Sequence, residues 1–164
     1  MKRPLALACQ AFHAVESRLA RPLLRALEFA APALDLAIRL YVANVFFKSG
    51  LTKIQSWDTT LALFENEYAV PLLPPEVAAY LGTATELIVP VFLALGLGGR
   101  VAALVLFVFN AVAATSYPDI SEAGIRDHVF WGFMLAVTFF HGPGKLSLDA
   151  LISRWLRPDA GGLR

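Results

Sequence analysis

The stretch Arg39-Leu-Tyr-Val-Ala-Asn-Val-Phe-Phe-Lys-Ser-Gly-Leu-Thr-Lys-Ile54 is a helix-length apolar run interrupted by Arg39, Asn44 and Lys48. Polar groups held in hydrocarbon must pair with one another, meet backbone carbonyls or line a cavity. A chain with such a segment is therefore constrained to fold as a bundle whose other helices answer those groups. At 100° per residue, Arg39 and Lys48 stand about 180° apart around the helix, so one partner does not serve both.

Composition places that bundle in a membrane. The 164 residues are 57% hydrophobic and 16% charged, and the mean hydropathy is +0.60, against about 45–50% apolar and about 25% charged for a soluble domain. At about 20 residues per span, four apolar segments fit: Pro32 to Thr52, Glu76 to Leu97, Val101 to Tyr117 and Ile125 to His141. The expected fold is all-α, an integral membrane four-helix bundle with amphipathic surface helices. Its parts are a surface segment over residues 1–31, a membrane domain over 32–143 and a surface tail over 144–164. In the first part Leu5, Phe12 and Leu19 form an apolar stripe beside Arg18, Arg21 and Arg25, suited to an anionic membrane face. Its apolar run is too short for a signal-peptide core, so retention is expected. Trp57, Leu61, Phe64 and Tyr68 predict a short amphipathic helix in the first outer loop, and Ser147 to Leu156 another at the opposite face.

Charge sets the expected orientation. Lys2, Arg3, Arg18, Arg21, Arg25, Arg100, Lys145, Arg154, Arg157 and Arg164 fall on one side, and Lys53 and Arg126 on the other with seven acids. By the positive-inside bias both termini face the cytoplasm, across a cell inner membrane. The net charge of +1 gives no reason to expect a nucleic-acid partner, and the single Cys9 excludes a two-thiol redox cycle within one subunit.

Within the spans, Glu86 carries the most chemistry. Pro90 removes the donor for the Glu86 carbonyl, so a carboxylate and a weakened helix coincide at mid-membrane. Two readings stand: a structural ion pair of Glu86 with Lys48, or with Arg39 if Lys48 does not couple, and a binding or proton-handling site. Asp35 and Arg39, one turn apart, are expected to pair near the cytoplasmic end. Asn110 is interhelical glue or a ligand contact. Asn44, Lys48, Glu86 and Asn110 together supply the polar groups that a quinone needs, with Phe46, Phe107 and Phe109 as walls. His128 and His141 lie 13 residues apart, about 20 Å along one helix, so they do not share a metal or a haem iron. No metal or haem site and no complete catalytic constellation is recognised.

These residues also carry a resemblance. Arg39 with Phe46-Phe-Lys-Ser-Gly-Leu-Thr-Lys-Ile54, Glu86 with Leu95-Gly-Leu-Gly-Gly-Arg-Val-Ala-Ala103, and Gly142-Pro-Gly-Lys-Leu-Ser-Leu-Asp149 resemble the DoxX family of small four-helix membrane proteins, over about Asp35 to Leu151. The family's Gly-x-x-Lys falls on Gly50 and Lys53, its second-helix Glu on Glu86, its inner-loop Arg on Arg100, and its Gly-Pro-Gly on Gly142, Pro143 and Gly144. Lys48 has no counterpart in that pattern and suggests the subgroup associated with copper-responsive peptide-maturation operons. The resemblance implies a membrane subunit of a quinone-linked redox system, similar to thiosulfate:quinone oxidoreductases or to oxidative- and metal-stress complexes. The competing implication is a non-catalytic membrane scaffold, or a small-solute or metal-handling partner of a soluble protein. Whether the chain is an enzyme, and whether it pairs with another protein or with itself, stays open at this stage.

Overall fold

The computed structural model describes residues 21–156, which form six helices joined by short turns, with no strand among the described residues. They are α1 (Arg21–Gln55), α2 (Trp57–Asn66), α3 (Pro75–Leu95), α4 (Gly99–Ser116), α5 (Glu122–His141) and α6 (Leu148–Leu156). The stripe through Leu5, Phe12 and Leu19 and the tail from Arg157 lie outside the described residues. The chain divides into two compact units, up to Leu34 and from Asp35 onward. In the first, Arg21 to Leu34 are helical, with Leu23, Leu24, Leu27 and Phe29 exposed.

The second unit is organised by a burial pattern opposite to that of a soluble protein. Arg39, Glu86, Asn110, Thr83 and Thr138 are buried, whereas Ile88, Phe92, Val101, Val108, Phe133 and Phe140 are exposed. Apolar surface of this extent facing outward is stable against lipid tails, and the polar groups are enclosed because hydrocarbon offers them no partners. The chain is thus a membrane protein. Three helices, α1, α3 and α4, are long and apolar enough to cross a bilayer. The fourth, α5, is 20 residues long, about 30 Å at 1.5 Å per residue, but carries Glu122, Arg126 and Asp127 in its first turns. The core between them is made by Val42, Ala43 and Phe46 of α1, Leu93 of α3, Ala102, Ala103 and Leu106 of α4, and Leu135 of α5. The alanines let α4 pack closely on its neighbours. A second cluster, Phe64 of α2 on Ala78 and Ala79 of α3, holds the short helix down.

Local chemistry sets the helix ends. Pro75 occupies the first turn of α3, where no backbone donor is needed. Gly96 ends α3 at φ +64°, a left-handed conformation that a Cβ would strain, and a Cβ there would also run into Arg39 and Ser147. The Asp149 carboxylate accepts from Gly98 N at 2.8 Å and Gly99 N at 2.9 Å, capping the positive end of α4. Ser121 Oγ accepts from Gly124 N at 3.1 Å and caps α5.

Two expectations are corrected here. Pro32 is inside α1, which begins at Arg21, rather than in its first turn; Glu28, whose carbonyl loses its helical donor to the proline, is on the exposed side. Asp35 does not bond Arg39; its Oδ1 meets His141 Nδ1 at 3.2 Å. Pro90 lies inside the helix from Pro75 to Leu95, with its ring buried.

Candidate functional site

The anchor of the site is a close approach of α1 and α3. A Cβ on Gly50 would lie 2.9 Å from Leu87 Cδ2 and 3.0 Å from Glu86 Cβ, so only glycine allows the two helices this separation. One turn beyond Gly50, Lys53 reaches Glu86: Nζ to Oε2 is 2.5 Å, with the side chains 17% and 7% exposed. Ser49 closes the arrangement by donating to Glu86 Oε1 at 3.1 Å and accepting from Lys53 Nζ at 3.0 Å. Both carboxylate oxygens are satisfied, while the ammonium has used two of its three protons.

The partner of Glu86 is therefore Lys53, and the expected pair with Lys48 is overturned. Lys48 is exposed, as is Asn44, and neither lines the cavity described below. Residue 53 lies seven positions after the buried Phe46, about two full turns, and so shares its face, whereas residue 48 is turned about 200° from it. Nor does Arg39 replace Lys48 beside Glu86. Its guanidinium, 1% exposed, donates to Leu93 O at 3.2 Å, to Ala94 O at 3.0 Å and to Leu146 O, and so ties the end of α3 to the segment before α6. Gly142, Pro143 and Gly144 lie at that same end, beside Arg100, Gly99 and Asp35 respectively. Arg39, Arg100 and the Gly-Pro-Gly turn thus belong to a stitched end of the bundle, and Lys53 and Glu86 to the other.

At this other end a cavity of about 270 Å³ opens beside the ion pair. Ser49, Lys53 and Glu86 form one wall; Phe64, Gly82 and Phe109 form an apolar wall; Tyr68, Ser116, Tyr117 and His128 complete it. Ala69 N donates to Ser116 O at 2.7 Å, which fastens the loop after α2 to the last residue of α4 and carries Tyr68 over the cavity. The Tyr68 ring meets Phe64 edge-on at 4.9 Å and Tyr117 at 5.4 Å. Burial pushes the Tyr68 phenol above its ordinary pKa, and the negative charge of Glu67 adds to the effect. Ser116 is 3% exposed, and its Oγ has no hydrogen-bond partner among the described residues. A buried hydroxyl in that condition costs about 1–3 kcal/mol.

Asn110 is buried beneath this cavity. Its Nδ2 donates to His128 O at 2.8 Å and its Oδ1 faces His128 Nδ1 at 2.8 Å. The imidazole packs against Trp131 at 5.0 Å, and Trp131 in turn against Phe46 at 6.0 Å. Among the described residues no group of three or more His, Cys, Asp or Glu side chains comes together as a metal site. The sequence reading named Glu86 and Asn110 but not Lys53 as a partner, nor Tyr68, Ser116 or His128 as cavity residues. Seven-residue spacing from Phe46 was the available signal for Lys53; the other three converge only through the Ala69–Ser116 loop contact and the grip of Asn110 on His128.

A family model described as DoxX matches residues 34–118 of the chain, a span that includes Arg39, Gly50, Lys53, Glu86 and Asn110. The chain is also similar to an uncharacterized protein of Haemophilus influenzae, 31% identical over 128 residues that make up 73% of this chain and 83% of the relative. No solved structure matches it.

Proposed function

The chain belongs to the DoxX family, and from that premise we propose that it is a membrane subunit of a quinone-linked redox system, with the quinone head seated in the cavity beside Lys53 and Glu86. The observation that carries this reading is the convergence on one aromatic-walled cavity of an ion pair, an imidazole and Ser116, whose buried hydroxyl has no partner among the described residues. A quinone ring needs that combination: flat apolar walls, and a few polar groups for its two oxygens. A volume of about 270 Å³ falls just below the usual range of ligand cavities, about 300–1,000 Å³, and suits a single ring with its tail in lipid. Lys53 has a third N–H to offer a ring oxygen, and Glu86 holds that ammonium in place while remaining the group best placed to exchange a proton with it. Asn44 and Lys48, exposed on another face, drop out of the site.

The electrostatic asymmetry supports placing this end of the bundle at the outer face of an inner membrane and the Arg39 end, with both termini, in the cytoplasm. Reporter fusions after Gly98 and Leu163 are then expected to show cytoplasmic activity, and periplasmic activity at either overturns that orientation. The function is tested by extracting the protein purified from its native membrane and assaying the extract for quinone, then titrating a short-chain benzoquinone in detergent. Wild type is expected to carry and bind quinone, and a folded Glu86→Gln variant to bind it at least tenfold more weakly. Absence of quinone and of binding in wild type refutes the proposal and favours the membrane-scaffold reading.

A further inference from the structure

Resting on the quinone reading of this cavity, we infer that Asn110 fixes His128 as a hydrogen-bond acceptor toward the ligand, so that the site selects the reduced, hydroxyl-bearing ring over the oxidised one.

Two of the oxygen atoms around His128 have only one hydrogen-bonding role. A backbone carbonyl can only accept, so the atom of Asn110 that stands 2.8 Å from His128 O is the amide nitrogen. Rotating the amide by half a turn would set oxygen against oxygen. The amide oxygen is thereby directed at His128 Nδ1, 2.8 Å away, and because it too can only accept, Nδ1 carries the proton. In a neutral imidazole the other nitrogen, Nε2, is then a lone pair. His128 lines the cavity while Asn110 does not, and no described residue bonds Nε2. The arrangement is rigid: Asn110 is 5% exposed, a Cβ on Gly132 would stand 3.4 Å from its Nδ2, and Trp131 packs edge-on to the imidazole.

The cavity therefore presents one fixed acceptor, His128 Nε2, and one fixed donor, the remaining N–H of Lys53, with the Ser116 hydroxyl free to take either role. An oxidised quinone has acceptors at both oxygens and sets a lone pair against Nε2. A hydroquinone places one O–H on Nε2 and offers its second oxygen to Lys53 or Ser116. Asn110 is a positioning residue, acting through His128.

Two measurements decide the matter. In ¹⁵N-histidine-labelled protein at pH 8, above the ordinary imidazole pKa of about 6.5, the His128 signals, assigned by their loss in His128→Gln, are expected to show a protonated Nδ1 and a bare Nε2. In Asn110→Leu they are expected to shift to a mixture of the two tautomers, which a merely structural role for Asn110 would not produce. Anaerobic titration with a short-chain benzoquinone, its hydroquinone and the hydroquinone dimethyl ether is expected to show the hydroquinone bound about tenfold more tightly than the other two, the effect of one hydrogen bond. In His128→Phe that preference is expected to vanish. Equal affinity of wild type for the oxidised and reduced forms, or a protonated Nε2 in the empty protein, overturns the inference and leaves the quinone reading standing. No binding of any of the three compounds overturns both. Should His128→Phe fail to fold by circular dichroism, the wild-type affinity ratio and the wild-type nitrogen spectrum still decide.

Discussion

Replacing Lys53 by Met leaves the Glu86 carboxylate, 7% exposed on its side chain, with Ser49 as its one remaining partner. Breaking one side of a buried ion pair costs about 3–5 kcal/mol, whereas replacing both members by apolar or neutral groups costs much less. In detergent the unfolded helices also find polar partners, and interhelical polar contacts measured in membranes average only about 0.6 kcal/mol. A Lys–Glu contact at 2.5 Å with both groups enclosed belongs near the lower end of the ion-pair range, so about 3 kcal/mol is expected for Lys53→Met and for Glu86→Gln separately. The double variant is expected to lose no more than either single one, which puts the coupling at about 3 kcal/mol. Unfolding by titration of a denaturing detergent into mixed micelles, followed by tryptophan fluorescence, measures all four corners of the cycle. Lys48→Met is the internal control, because its exposed side chain should change stability by no more than about 0.5 kcal/mol. Strict additivity of Lys53→Met and Glu86→Gln, or coupling of Glu86 to Lys48 instead, refutes the assignment.

The remaining predictions follow from the same contacts. Gly50→Ala is expected to destabilise by about 1–3 kcal/mol, because its methyl meets Leu87 and Glu86 within 3.0 Å, and the same detergent unfolding reads it. Arg39→Met strips the charged donors from the carbonyls of Leu93, Ala94 and Leu146 and is expected to cost about 3 kcal/mol without altering quinone affinity. Ultraviolet titration of the phenolates should show Tyr68 ionising above its ordinary value; the unfolded chain ionises first, so the stability tied to this group is complete below about pH 10 and is lost as pH rises from there to the folded pKa.

How much of this was legible in the sequence varies with the range of the interaction. The spans and their buried polar residues follow from hydropathy, a local property, and from the rule that Glu86 and Asn110 must be enclosed if they lie in hydrocarbon. The error at Lys48 came from ending the first span near Thr52. With the helix continuing to Gln55, Lys53 is a helical residue on the face of Phe46 and Gly50 rather than the first residue of a loop. The Asp35 misassignment has a similar cause: a partner four residues away is always visible in sequence, whereas His141, 106 residues away, is brought near only because α5 lies alongside α1. Tyr68, Ser116 and His128 converge because Ala69 N bonds Ser116 O and Asn110 grips His128. No periodicity encodes either contact.

The two ends of the bundle divide the labour in a way that the contacts themselves explain. At the Arg39 end, helix termini are fastened by charged groups to backbone: the guanidinium takes three carbonyls, and Asp149 takes two amides. Such bonds leave no polar capacity unspent facing a space, apart from Arg39 Nε. At the Glu86 end the bonds run mainly between side chains, and four groups keep capacity in reserve: the third proton of Lys53, the Ser116 and Thr83 hydroxyls and His128 Nε2. Reserve of this kind lowers stability, since each unmet buried group costs free energy that a satisfied one does not. A bundle selected for stability alone would have closed this end as it closed the other. The unmet groups of Lys53, Ser116 and His128 border one cavity, whereas Thr83 Oγ1 lies off it, and that convergence of three is the physical reason for proposing a ligand there rather than at the arginine.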